Sequence, residues 1–173
     1  MEARIVYFDD PEKDYADEVF AVARRRAEEL NIKTIIIAST KGNTAVKAVD
    51  ALKGSRVIVV AHAFGFDDIG SQPFSKTNRK KVASKGGITL TATHVFASIG
   101  RAMRNKFNMY GTEEVIANTL RLFGHGMKVI CEITMMAADS GLVGTDEDVI
   151  AIAGRHAGAN TAVVLRPVNT PRF

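Results

Sequence analysis

Apolar and polar positions along this chain follow two alternating rhythms. At 33–39 (KTIIIAS) and at 56–61 (RVIVVA) β-branched residues run almost without a break, as expected for strands buried on both faces of a parallel sheet. Around these runs the period lengthens to that of a helix. Residues 14–30 place Tyr15, Val19, Val22, Ala23, Ala27 and Leu30 on one helical face, led by acids and stopped by Asn31 in the left-handed conformation. Residues 43–53 read as a helix ended by Gly54, and 73–84 as a basic helix closing on Gly86 and Gly87, with a third strand at 88–93. Helices are predicted over 94–107 and 113–123, the second capped by Thr112. The stretch 127–138 is apolar on every side. Lys128 and Glu132 at i, i+4, and the Asp139-Ser140-Gly141 terminus, make it a buried helix. Segments 148–154 and 161–168 read as strands separated by six residues, too few for a parallel crossover, so they must pair antiparallel.

The alternation contains no linker and no repeat, which predicts one α/β domain over residues 1–173. Its sheet is mixed, with helices on both faces and an antiparallel last strand. In such open sheets ligands sit beyond the carboxyl ends of the strands, so the loops leaving the strands are the place to look for chemistry.

Composition narrows the setting. With 46% apolar and 24% charged residues among 173, the chain is that of a folded domain. One cysteine, Cys131, allows neither an internal disulfide nor a multi-thiolate metal site, which points to a reducing compartment and a cytoplasmic location. No apolar run approaches the ~20 residues of a membrane span, and no membrane partner is expected. The net charge is +4. Its two basic clusters, Arg24 to Arg26 and Lys76, Arg79, Lys80, Lys81 and Lys85, lack interleaved aromatics, so they read as solvated faces and nucleic acid is not an expected partner.

Three loops should converge on the carboxyl edge. The first, Ser39, Thr40, Lys41, Gly42, Asn43 and Thr44, runs from a buried strand into a helix and brings hydroxyls, a lysine, a glycine and helix-terminal amides together. These favour an anion such as phosphate, although the same Ser, Thr and Asn residues also serve as helix caps. Neither a Walker loop nor a dinucleotide-binding turn is present. In the second loop, 61–70, Phe64 and Phe66 offer a flat apolar wall to a planar ring and Gly65 leaves room for it; the alternative is that the phenyl rings belong to the core. The third, 155–160, brings Arg155 to neutralise an anion and small residues, Gly158 and Ala159, beside Asn160 and Thr161. His62 and His156 stand on two of these loops as candidate proton donors or phosphate contacts, or as loop residues without a chemical role. The four histidines lack the spacing of a metal site. Asp139 is read as a helix-terminal residue turned toward the ligand edge, and Glu132 as the partner of Lys128.

The run T-I-I-I-A-S-T-K-G-N-T-A from Thr34, the closing D-V-I-A-I-A-G and T-A-V-V-L-R-P-V segments, and F-G-H-G-M-K-V-I-C-E-I-T-M-M-A-A-D-S-G between them resemble the C-terminal α/β domain of pyruvate kinase. More closely, the whole chain resembles stand-alone archaeal and bacterial proteins built from that domain. The resemblance implies a three-layer α/β/α sandwich whose five-stranded mixed sheet ends in an antiparallel strand. It also implies a phosphate held by Ser39, Thr40, Gly42 and Thr44, and flavin mononucleotide (FMN) as the ligand. Without the pyruvate kinase barrel, phosphoryl transfer from phosphoenolpyruvate is not expected. Asn160 stands where such relatives often carry an acid. The expectation is therefore a protein that binds a small phosphorylated ligand, FMN. The alternatives are a flavin-dependent oxidoreductase in which His62 manages protons, and an allosteric sensor of a sugar phosphate. The helix expected at 113–123 is a candidate surface for a homo-oligomer.

Overall fold

The two β-branched runs form the middle of the sheet. In the computed structural model, which describes residues 5–10, 13–155 and 158–173, β1 (Thr34–Ala38) and β2 (Arg56–Ala61) pair in parallel, with Ile36 opposite Ile58. Beyond β2 lies the short parallel β3 (Ile88–Thr91), and on the other side of β1 lies β4 (Val149–Ala153), also parallel. The edge strand β5 (Thr161–Leu165) returns antiparallel to β4, giving the order β3-β2-β1-β4-β5. This is the mixed five-stranded sheet with an antiparallel last strand expected from the pattern.

Strand side chains alternate between two cores. Ile35, Ile37, Val57, Val59, Ile150 and Ile152 face α1 (Ala16–Leu30), α2 (Asn43–Ala51) and Val82 of α3 (Lys76–Ser84). Ile36, Ile58, Val60 and Ala151 face the opposite way, onto Ile130, Ile133, Met136 and Ala137 of α6 (His125–Asp139). Because both faces are covered, Ile35, Ile36 and Ile37 have no solvent exposure. Each contributes roughly 1.5–3 kcal/mol through burial. Between β3 and α6 lie α4 (Ile99–Phe107), α5 (Thr112–Leu120) and a 3-10 turn (Arg121–Phe123).

Several boundaries differ from the pattern for identifiable reasons. The helix expected from residue 94 begins at Ile99, because the Phe96 amide donates to Glu132 Oε1 (2.9 Å) and its ring enters a small core with Ala117 and Met135. The helix expected from Pro73 begins at Lys76, since Ser75 caps it by accepting from the Asn78 amide (3.1 Å) while the Phe74 amide donates to Gln72 Oε1. Thr112 does not cap α5. It is the first helical residue, and Gly111 in extended backbone is the cap. In α1, Val19, Ala23 and Ala27 are buried as expected, but Phe20 is buried with them and Leu30 is exposed. Asn31 closes α1 at φ 57°, as anticipated.

The topology fixes where a ligand can sit. The chain steps from β1 outward to β3, then crosses back to place β4 on the other side of β1. The direction of winding reverses between β1 and β4, and their carboxyl ends form the crevice in which open α/β sheets bind ligands. The turn 39–44 and the described residues 154, 155 and 158–160 flank that crevice.

Candidate functional site at the carboxyl edge

Beyond β1 the chain turns directly into α2 through Gly42, whose φ of 92° is one that L side chains rarely adopt. Space closes the position as well. A Cβ there would lie 2.7 Å from both Asn78 Cβ and the Phe74 ring, so Gly42 is required by packing against the start of α3. Asn78 ties the two segments together, donating from Nδ2 to the Lys41 carbonyl (3.1 Å) and to Asn43 Oδ1 (3.0 Å). Ser39 is buried, and its hydroxyl accepts from the Ala45 amide (3.3 Å). It thus satisfies the third amide of α2, whose cap residue is Gly42, while Thr40 and Thr44 stay half-buried and Lys41 and Asn43 exposed. Among the described residues no acceptor meets the amides of Asn43 and Thr44, the first two donors of α2. The turn is braced on its α3 side and leaves these two amides without a protein acceptor.

The loop after β2 reaches the same place from the neighbouring strand. His62 Nε2 lies 3.3 Å from Thr40 Oγ1, and its Nδ1 lies 3.5 Å from Asp67 Oδ2 without forming a hydrogen bond. Behind it stands His94, from the loop after β3, at a ring separation of 5.1 Å. Burial and the adjacent His94 push the His62 imidazole below its ordinary value, against the pull of Asp67 and Glu132. Phe66 does not form an open wall. It is packed on His62 (4.7 Å) and His94 (4.4 Å), with the Arg101 guanidinium of α4 over its other side (4.4 Å). Phe64, by contrast, is 66% exposed.

Beneath these rings lies a buried ion cluster. Glu132 accepts from Lys128 Nζ (2.6 Å), lies 3.5 Å from His94 Nδ1, and holds the Phe96 amide. Burial alone would raise its carboxyl, but the nearby His94 imidazole and the Lys128 ammonium outweigh that and bring it down to about 2. The Lys128–Glu132 pair was legible from its spacing. Its burial and its link to His94 were not.

On the far side of the crevice the small residues are already used. Gly158 has φ 76°, and the Asp14 carboxylate occupies the position of any Cβ there, so the room expected over Gly158 is filled. Asp14 Oδ1 accepts from the amides of Ala16 (2.9 Å) and Ala159 (3.3 Å), and Lys47 of α2 lies 3.7 Å from Oδ2. Ala159 is buried, Arg155 and Gly65 are exposed, and Asn160 accepts from the Thr161 hydroxyl (2.9 Å). His156 lies outside the described residues. Asp139 is not at this edge. It sits at the opposite end of α6, where it accepts from the Thr170 amide (3.1 Å) and hydroxyl (2.8 Å) and from Asn169 (3.1 Å). Asp14, Phe74 and Asn78 carried no functional signal in the sequence, because each acts across a tertiary contact. No group of His, Cys, Asp and Glu able to hold a metal occurs among the described residues, and none of their helices is long and apolar enough to cross a membrane.

A family model described as the alpha/beta domain of pyruvate kinase matches residues 17–165. The chain is also similar to the solved structure of Cryptosporidium parvum pyruvate kinase in complex with ADP, at 19% identity and a TM-score of 0.45, over 92% of this chain and 25% of that one. A second structure of pyruvate kinase from that organism matches at 18% identity and a TM-score of 0.43, over 91% and 24%. The chain spans about a quarter of the length of these enzymes.

Proposed function

The chain belongs to the pyruvate kinase alpha/beta-domain family, and from that premise we propose that it binds a small phosphorylated ligand, FMN, in the crevice between β1 and β4. The observation that carries the reading is the pair of unpaired amides at the start of α2, at the point where the sheet reverses its winding. A phosphate there gains directed hydrogen bonds and the positive end of a helix. The residues suit the phosphate end of such a ligand. Asn43 and Thr44 supply amides, Thr40 and Thr44 hydroxyls, and Lys41 an exposed cation. At the ring end Phe64 supplies an open aromatic face and Arg155 a charge. FMN, when bound, supplies a ring that accepts and releases electrons. The chain's own part is to hold the phosphate, orient the ring and shield it from water.

Titration of the purified protein with FMN, followed by absorbance or fluorescence, tests the reading. Saturable binding that Thr40→Ala and Thr44→Ala weaken supports it, and absence of binding to the folded protein overturns it. One observation favours a second reading, in which the bound flavin takes part in redox chemistry: His62 faces the turn and is backed by His94 and Glu132, an arrangement able to hold or move a proton at His62 Nε2. Bleaching of bound FMN by a reduced nicotinamide would support that reading. If a sugar phosphate binds and FMN does not, the sensor reading takes its place.

A further inference from the structure

α4 is amphipathic, yet its burial is inverted. Its apolar residues Ile99, Met103 and Phe107 recur at i, i+4, i+8 and are 78%, 41% and 52% exposed, while its only buried residue is Gly100. The stripe continues into Met109 (57%) and Tyr110 (66%), which with Ile99 and Met103 line an open groove of about 450 Å³ between α4 and α5. At on the order of 100 Å² per side chain, these five residues present roughly 500 Å² of apolar surface, the upper range of the largest patch on a soluble domain, which is often functional.

The charges on this face select the occupant. Arg101 is turned onto Phe66, and Arg104 is paired with Glu114 at 2.6 Å. What remains is one cation and one anion. The Lys106 ammonium contacts only the neighbouring Phe107 ring, and the Glu113 carboxylate has no ionic partner among the described residues. Glu113 lines the groove and rests where a Cβ on Gly100 or Gly111 would stand. A lipid surface would have to desolvate that carboxylate with nothing to neutralise it. A surface carrying its own complement is what a two-fold interface needs.

We propose that this face is a homodimer interface in which α4 packs antiparallel on α4 of a second copy about a two-fold axis near Met103. Ile99 then lies level with Phe107 of the other copy. Lys106 lies level with the other copy's Gly100, against which the Glu113 carboxylate rests, so two identical ion pairs close the rim of an apolar centre. Because Arg101 projects from the same helix onto Phe66, the contact also steadies the aromatic cluster beside His62. The inference is independent of which ligand the carboxyl edge takes.

Sedimentation velocity of the full chain over a concentration series tests it. A reversible dimer is expected for the native chain. Met103→Glu should give a folded monomer, checked by circular dichroism, and Lys106→Glu should raise the dimer dissociation constant at least tenfold. The exchanged pair Lys106→Glu with Glu113→Lys should recover most of that loss. Glu113→Gln, which keeps the shape against Gly100 and Gly111, should weaken the dimer several-fold if the fold does not accept lysine. A native chain that stays monomeric overturns the proposal. So does a dimer indifferent to Met103→Glu, a charge exchange that recovers nothing in a folded protein, or sedimentation of the monomer with anionic phosphatidylglycerol vesicles.

Discussion

The turn 39–44 and the ion cluster under the β2 and β3 loops stand side by side on one edge of the sheet, yet they are assembled in opposite ways. The turn draws its candidate donors from six consecutive residues and leaves the amides of Asn43 and Thr44 without a protein partner. The cluster gathers His94, Lys128 and Glu132 from segments more than thirty residues apart, and Glu132 spends both oxygens on protein groups. The first leaves hydrogen-bonding capacity that the protein itself does not use, and the second uses that capacity to hold a loop in place. Changes to the cluster should therefore appear chiefly as stability, and changes to the turn chiefly as affinity.

The largest effect should come from Glu132→Gln. It keeps the shape and an acceptor for the Phe96 amide but strands the buried Lys128 ammonium, which costs about 3–5 kcal/mol when one partner of a buried pair is removed. Urea denaturation of the variant should show a loss of that size, with FMN affinity of the folded protein changed by less than about threefold. The native protein should also carry an acid signature. The Glu132 carboxyl sits at about 2 when folded and 4.5 otherwise, so its stabilisation is complete above pH 4.5 and is lost as pH falls from there toward 2. Glu132→Gln should abolish that component. A variant as stable as the native chain would show that the cluster holds nothing.

This contrast also explains what the sequence disclosed. The uninterrupted Ile and Val runs announced central strands, and the six-residue spacing before Thr161 forced the antiparallel edge; both are local patterns with a single structural solution. The turn at Ser39 was visible for the same reason. The Phe96 bend was not, because a helical pattern runs through 94–98 and only a carboxylate thirty-six residues away, Glu132, pulls it open. Likewise Gly158 looked like free space, and only the fold brings Asp14 into it. Phe66 was read as a wall for a planar ring or as part of the core, and the partners that cover it, His62, His94 and Arg101, could not be foreseen because they come from three different segments.

Two glycines sharpen the comparison at intermediate size. Gly158→Ala forces a left-handed backbone on alanine and drives its methyl into the Asp14 carboxylate, breaking the tie from α1 to the hairpin loop. A loss of about 2–3 kcal/mol is expected in thermal or urea unfolding. Gly42→Ala meets the buried Phe74 ring and Asn78 Cβ, an atom fixed to the α3 backbone, so a comparable loss of about 2–3 kcal/mol is expected. Because Gly42 also shapes the turn, this variant should lose FMN affinity as well. If Gly158→Ala were the milder of the two, the far wall of the crevice would be softer than its contacts with Asp14 imply.

The smallest stability effects belong to the exposed front of the turn. Thr40→Ala removes one hydroxyl from a half-buried position beside His62, which should weaken FMN binding by about 1 kcal/mol, or roughly fivefold, while moving stability by under about 1 kcal/mol. Lys41→Ala touches no side chain the fold depends on, since it is the Lys41 carbonyl that Asn78 holds. Its stability should stay within about 0.5 kcal/mol of native. Any loss of affinity should be a screened, long-range attraction, a few-fold at low salt and vanishing toward 1 M, where the Debye length is only about 3 Å. A salt-independent loss would mean that the ammonium makes a direct contact with the ligand, and the turn would then act as a clamp with its own side-chain arm and not only as a row of backbone donors.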